Sequence, residues 1–356
     1  MRPPLRILVL ADSRAFHTER YVRELRIQGC RVLLGSLEHG STIHLHLKRL
    51  GPIQQLHYLL ATMQVRHIIN RFAPDIINAH FATGYGWLAG RAVDTGSTPV
   101  VLHLWGSDIL QVPNRSTFHR RKARRALAAA DLTLGDSQYL LDQAAMIHPP
   151  ENSCVKYWGI ERQYLALADP DRPLSRPLRI IVPRQHESVY NNSLVLRGLH
   201  RLLSEKKVTL TVPAFGSLYH EFKNQAGSLP SNSIQYYNRL PRDQFMALMS
   251  RHDLYLSASQ SDSSPASLIE AMGLGLIPVA ADIPGVREWL TPQSGYRFTS
   301  GDADDLGRVI NEIVNTGNTF ADLRKRNHER VLREAVFENT VAETINLMLA
   351  LLEKQS

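Results

Sequence analysis

The chain has 356 residues, 44% hydrophobic and 21% charged, a length that predicts two domains rather than a single core. Two cysteines, Cys30 and Cys154, exclude a disulfide framework and fit a reducing cytoplasm. A net charge of +8 favours anionic partners, no stretch approaches the roughly 20 apolar residues of a membrane span, and "MRPPLRILVLAD" is too short in apolar residues for a signal peptide.

In chain order, "LRILVLA" (5–11) reads as a buried strand, "TERYVRELRIQGC" as a helix ending at Gly29, and "RVLLGSL" as a second strand. The strands "PDIINAHF" (74–81) and "PVVLHLWG" (99–106) flank a helix over "GWLAGRAVDTG". "RRKARRALAAA" is a helix and "DLTLGDS" another strand. Alternation of this kind predicts a doubly wound α/β domain over 1–165. Periodicity breaks across 162–179, placing a linker at 166–178. It restarts with "LRIIVPR", "VTLTVPAFG", "SIQYYNRL", "DLYLSAS" and "IPVAAD", a second doubly wound domain over 179–335. The remaining 336–356 is an amphipathic helix expected to cross back to the first domain. Two such domains are expected to face a central cleft, with ligands at the carboxyl ends of the strands.

The stretch "SDSSPASLIEAMGLGLIPVAAD" (261–282) reads as loop, helix and strand. Ser264 is a candidate N-cap and Pro265 a first-turn residue, which puts Glu270 in the second turn. Free amides at such a helix start attract phosphate. Asp262 hangs from the loop, and Glu270 has the chemistry to accept hydrogen bonds from a ribose diol. The plainer alternative makes Asp262 a solvated loop acid and Glu270 an exposed helix acid.

Acid, seven residues, then Glu-Ala-Met, followed by Gly and a Pro-Val strand, resembles the E-x7-E region of the retaining glycosyltransferases of family 4, which have the GT-B fold. Asp262 stands for the first glutamate. "GWLAG", "TPVVLHLWGSDIL", "ADLTLGDSQYL", "KYWGIE" and "SGYRFTSGDADDL" match further stretches of that family in order.

The resemblance implies an α/β, GT-B-like fold of two Rossmann-like domains. The donor would be a nucleotide sugar, a UDP-sugar first, in the second domain, and a hydroxyl acceptor would sit in the first. It further implies transfer with retention, no covalent intermediate, no metal and no cofactor beyond the co-substrate. Arg184, ending the first strand of the second domain, would face the donor phosphates, as guanidinium groups favour. The family's lysine five residues later is Val189 here, followed by Tyr190 and Asn191, which are offered as substitutes. Pro265, Ala266 and Ser267 supply the helix start, and Gly216 and Leu240 lie at the ends of two neighbouring strands on the donor side.

In the first domain the loop "ADSRAFHTERYV" lacks a G-x-G-x-x-G fingerprint and carries His17 and Arg20; His17 is read as a candidate catalytic residue, as is His103, or else as a capping or solvent-exposed histidine. The family's active-site histidine position is Trp105, two residues after His103. Trp105 is either a sugar-stacking platform or a core tryptophan. Asp108 either meets acceptor hydroxyls or caps the following segment, and His80 ends the preceding strand on the acceptor side.

"DAD" at 302–304 is read as acids at a helix start rather than a metal site. The basic run "RSTFHRRKARRAL" (115–127) lacks the interleaved aromatics of a nucleic-acid surface. It reads as a solvated helix face, or as a patch that rests on anionic lipid or meets a phosphorylated acceptor, which would place the protein at the inner face of the membrane. The rival functions are a GT-B sugar-nucleotide epimerase and a degenerate, non-catalytic nucleotide-sugar-binding protein.

Overall fold

The computed structural model describes residues 3–39, 45–47, 54–93, 98–316 and 320–355. The chain forms two compact units, Met1–Tyr157 with Glu338–Ser356, and Trp158–Phe337.

The first unit carries a parallel sheet of β1 (Arg6–Leu10), β2 (Arg31–Ser36), β3 (Leu45–His46), β4 (Ile76–His80), β5 (Val100–His103), β6 (Leu132–Gly135) and β7 (Ser153–Val155). Its spatial order is β3-β2-β1-β4-β5-β6-β7. Ile7, Leu8, Val9 and Leu10 have no exposed surface, because helices cover both faces and the strand needs no polar alternation. The order reverses between β1 and β4, whose register pairs Val9 with Asn78. That reversal opens the sheet at the carboxyl ends of these two strands.

The second unit repeats the scheme with β8 (Leu178–Ile181), β9 (Val208–Pro213), β10 (Ile234–Tyr237), β11 (Leu254–Ser257), β12 (Ile277–Ala281) and β13 (Tyr296–Phe298). The order is β10-β9-β8-β11-β12-β13, all parallel. Here the reversal lies between β8 and β11.

Several boundaries differ from the periodicity. The first helix runs Phe16–Ile27, starting two residues before Thr18, and β5 stops at His103 because Gly106 turns the chain with φ 92°. Phe81–Gly86 is a π-helix leading into the helix Trp87–Ala92, while the predicted continuation over 94–96 lies outside the described residues. The short strands β3 and β7 carry too few residues to show a period.

Residues 166–178 do not hang free. Arg172 donates to the carbonyls of Ser250 at 2.8 Å and His252 at 2.6 Å, and Arg324 donates to the Arg172 carbonyl at 2.6 Å. These bonds fasten the segment to the second unit. The helix Phe337–Gln355 belongs with the first unit: Gln28 donates to the Glu338 carbonyl at 2.9 Å, and Lys156 pairs with Glu343.

Candidate active site

In the second unit, the loops that follow β8 and β11 meet at the sheet's reversal. The first carries Arg184 and the second Asp262, and their side chains form an ion pair with each 18% exposed. Burial opposes the Arg184 charge, but Asp262, helped by Tyr255 and Tyr190, holds its pKa above the ordinary value. Tyr190 lies under the guanidinium, 5.1 Å from carbon to ring centroid. Asn191 takes a left-handed backbone, φ 47°, and it is Asn192 that reaches back, donating to the Arg184 carbonyl at 2.9 Å. The two loops are further tied where the Gln260 amide donates to the Val189 carbonyl at 2.8 Å.

The helix after Asp262 runs Ala266–Gly273, with Pro265 at its N-cap and no side-chain cap. Ser264 is therefore not the cap. Its hydroxyl is buried and, like Arg184 Nε and Asn192 Oδ1, has no hydrogen-bond partner among the described residues. Ser267 contacts the Tyr255 hydroxyl at 3.1 Å. Glu270 is buried rather than exposed, and Arg242 donates to it at 2.7 Å and to Glu161 at the same distance. Burial opposes the Arg242 charge, but the two carboxylates hold its pKa above the ordinary range. Arg242, Glu161 and Asn192 have no local signal in the sequence, since their partners lie in other elements.

Two glycines set how closely these loops approach. Gly216, at φ 121°, lies so near the loop after β8 that a Cβ would stand 2.4 Å from the His186 nitrogen. Gly285 lies against the Asp262 loop, where a Cβ would stand 1.9 Å from the Ser263 carbonyl oxygen. Leu240 is half-buried on the loop after β10. Asp302 caps the helix Ala303–Asn315 by accepting from the Asp304 and Asp305 amides at 2.9 and 3.0 Å. Among the described residues no group of three or more His, Cys, Asp or Glu is placed to share a metal ion.

In the first unit, a cavity of about 600 Å³ opens at the carboxyl ends of β1, β4 and β5. Asp12, His80 and Trp105 line it, together with Arg115, His119 and Lys122. Below it runs a buried polar chain that defines its own proton positions. Trp105 Nε1 donates to His80 Nδ1 at 3.2 Å, so His80 Nε2 carries hydrogen toward Asn78 Oδ1 at 3.3 Å. Asn78 Nδ2 then donates to His103 Nδ1 at 3.0 Å and to the Val101 carbonyl at 3.0 Å. Both histidines are neutral in this arrangement. Burial and the neighbouring His103 push the His80 pKa well below the usual range, and burial pushes His103 down to about 3.

His103 thus sits beneath His80, with ring centroids 4.6 Å apart, and supports it. Trp105 is half-buried with its ring on the cavity, and His17 meets it edge-on at 5.8 Å. Asp108 is fully buried; it accepts from the Ala82 amide at 2.7 Å and the Trp105 amide at 2.9 Å. Burial raises its pKa to about 6 against the pull of those amides. It is a latch between the β4 and β5 loops rather than a side-chain cap, since the helix Ser107–Leu110 has Gly106 at its N-cap and no side-chain cap. Lys122 is a cavity residue that the charge run conceals. Its position is readable from the spacing Phe118, Lys122, Ala126, which puts it on the apolar stripe of the helix Thr117–Ala128.

Two doubly wound parallel units, the second with a charged loop pair at its reversal, define a GT-B fold. Comparison with known families agrees: the family described as "Glycosyl transferase 4-like" matches residues 6–137, and "Glycosyl transferases group 1" matches residues 173–330. The chain belongs to the group 1, family 4-like glycosyltransferases. TuaC of Bacillus subtilis (strain 168), assigned to teichuronic acid biosynthesis as a glycosyltransferase, is 27% identical over 244 residues, 64% of this chain and 57% of that protein. The chain therefore matches little more than half the length of that relative. The fold is shared with Anabaena HepE, solved with UDP-glucose, at a TM-score of 0.77 and 19% identity over 96% of this chain and 99% of that one. It is shared also with sucrose-phosphate synthase from Thermosynechococcus elongatus, at 0.82 and 12% identity over 98% and 100%.

Proposed function

We propose that the protein transfers a sugar from a UDP-sugar to a hydroxyl acceptor, with retention at the anomeric carbon and without a metal or further cofactor. The observation that carries this reading is the Arg184–Asp262 pair, set where the second sheet reverses and beside three buried polar atoms with no described partner. Arg184 and the amides at the start of the helix Ala266–Gly273 would neutralise charge gathering on the departing diphosphate, the step at which fixed charges aid catalysis most. Asp262 would orient Arg184 and receive the sugar's hydroxyls. Arg242 takes Oε1 of Glu270, and the ribose diol would meet Oε2. The acceptor oxygen would attack from the side the diphosphate leaves, its proton passing to the departing phosphate oxygen. HepE's complex with UDP-glucose supports uridine as the first base to try.

The test is incubation with UDP-, GDP-, ADP- and CMP-sugars and simple glycosides, in EDTA, with the product's anomeric configuration read by NMR. Inversion, or a Mg²⁺ requirement, would remove the corresponding part of the proposal. Epimerisation of the nucleotide sugar without acceptor would favour the epimerase reading.

Arg120, Arg121, Arg124 and Arg125 are all exposed on the helix Thr117–Ala128, which supports contact with an anionic membrane surface as part of the same proposal. Among the described residues no helix is long and apolar enough to cross a membrane.

A further inference from the structure

We infer that the cavity of the first unit takes an acceptor bearing an anionic group, a phosphate or a carboxylate, received by Lys122, Arg115 and His119 beside the Trp105 ring. That the anion belongs to an acceptor rests on the glycosyl-transfer reading; anion binding rests on the cavity alone.

The helix Thr117–Ala128 sorts its cations by face. Four arginines lie on the solvent side, whereas Lys122 is only 6% exposed and lines the cavity with Arg115 and His119. The Lys122 ammonium stands 4.4 Å from the Trp87 ring centroid and 5.5 Å from that of Phe118. Aromatic faces attract a cation less strongly than water does, and burial lowers the lysine's pKa to about 8. An anion in the cavity would favour the charged form of this lysine. Arg115 adds a planar fork suited to two oxygens of one group. The Nδ1 of His119 is fixed by Ser116 Oγ at 2.8 Å, which sets the ring's orientation. Among the described residues the lining has one carboxylate, Asp12, which is engaged by Arg14 at 3.1 and 2.9 Å, and His80 is held neutral by its hydrogen-bond chain. The lining therefore favours negative charge.

The experiment titrates the full chain, in saturating UDP to occupy the nucleotide site, with methyl glucoside, methyl glucuronide and methyl glucoside 6-phosphate. Binding is read by saturation-transfer NMR. A charged hydrogen bond predicts that one or both anionic probes bind about tenfold tighter than the neutral one, and which of them does so assigns carboxylate or phosphate. Lys122→Gln and Arg115→Gln should each lose that preference, Lys122→Arg should keep it, and Arg121→Gln on the solvent side should leave it unchanged. Equal binding of the three probes, or a preference that survives both glutamine variants, overturns the inference. Arg115 is exposed, so its variant decides the matter if Lys122→Gln does not fold. Absence of UDP binding in wild type would count against glycosyl transfer, while the probe preference is judged separately.

Discussion

Arg242 Nη2 lies 2.7 Å from Glu270 Oε1, with the arginine side chain 16% and the glutamate side chain 5% exposed. Removing the arginine would leave Glu270 and Glu161 as buried carboxylates facing each other's charge. Arg242→Met should therefore lower the stability of the second unit by about 3–5 kcal/mol, the usual result of breaking a buried ion pair. Glu270→Gln keeps a hydrogen-bond acceptor and should cost less. Urea denaturation of both variants checks the order, and a loss of under about 1 kcal/mol for Arg242→Met would show the pair to be solvated.

Arg184 stands where diphosphate charge is proposed to develop. Arg184→Gln should lower the transfer rate about 10²–10³-fold, as loss of one oxyanion donor does, with a smaller effect on binding of the intact donor. Initial rates at saturating donor measure this. An unchanged rate would leave Arg184 as a partner of Asp262 only.

The neutral histidines make the first unit sensitive to acid. His80 and His103 have folded pKa values below the ordinary histidine range, so below about pH 6.5 the unfolded chain takes up protons that the folded chain refuses. Stability present at neutral pH should fall as pH drops from about 6.5 toward 3, by about 1.4 kcal/mol per pH unit for each fully titrating histidine. Asp108, raised to about 6, acts in the opposite sense over its own range, so the comparison must be differential. Wild type minus His103→Gln, followed by denaturant melts from pH 7 to 4, should shrink as pH falls. A difference independent of pH would mean that His103 titrates normally in the folded protein.

Gly285→Ala would drive a Cβ into the Ser263 carbonyl, forcing the Asp262 loop to move. Overpacking of this kind costs about 1–3 kcal/mol, and UDP affinity should fall with it. Gly227→Ala, where a Cβ meets nothing within 4 Å, is the control. Unaltered UDP affinity in Gly285→Ala would separate the loop from nucleotide binding.

Vesicle sedimentation tests the solvent-side arginines. Binding to anionic vesicles at low salt, but not to neutral ones, should vanish when Arg120, Arg121, Arg124 and Arg125 become glutamate, each basic side chain contributing about 1 kcal/mol near such a surface. Equal partitioning of wild type and variant would point to an acceptor free in solution.

The strands and the doubly wound class were readable because apolar runs such as "RILVL" and "IPVAA" coincide with β1 and β12. Arg184 was readable as the end of a strand and Asp262 as a loop acid before a helix, and the strand order brings them together. Ser264 misled because Ser-Ser-Pro fits a cap by local chemistry, whereas the packed loop carries the chain past it to Pro265. Glu270's burial, Arg242's bridging role and the Asn78 relay were not readable, since each depends on partners many residues away. Lys122 was obscured by composition: five neighbouring cations suggest one solvated surface until helical phase separates the lysine from the arginines.

The first unit is assembled from two pieces of chain, and its last helix lies beyond the whole second unit in sequence. During synthesis the second unit can complete its sheet as soon as β13 and the helices after it emerge. The first must wait with the site for Glu338–Ser356 uncovered. A ribosome stalled anywhere between residues 158 and 337 would thus hold a first unit lacking its closing helix, with Gln28 and Lys156 without their contacts to Glu338 and Glu343.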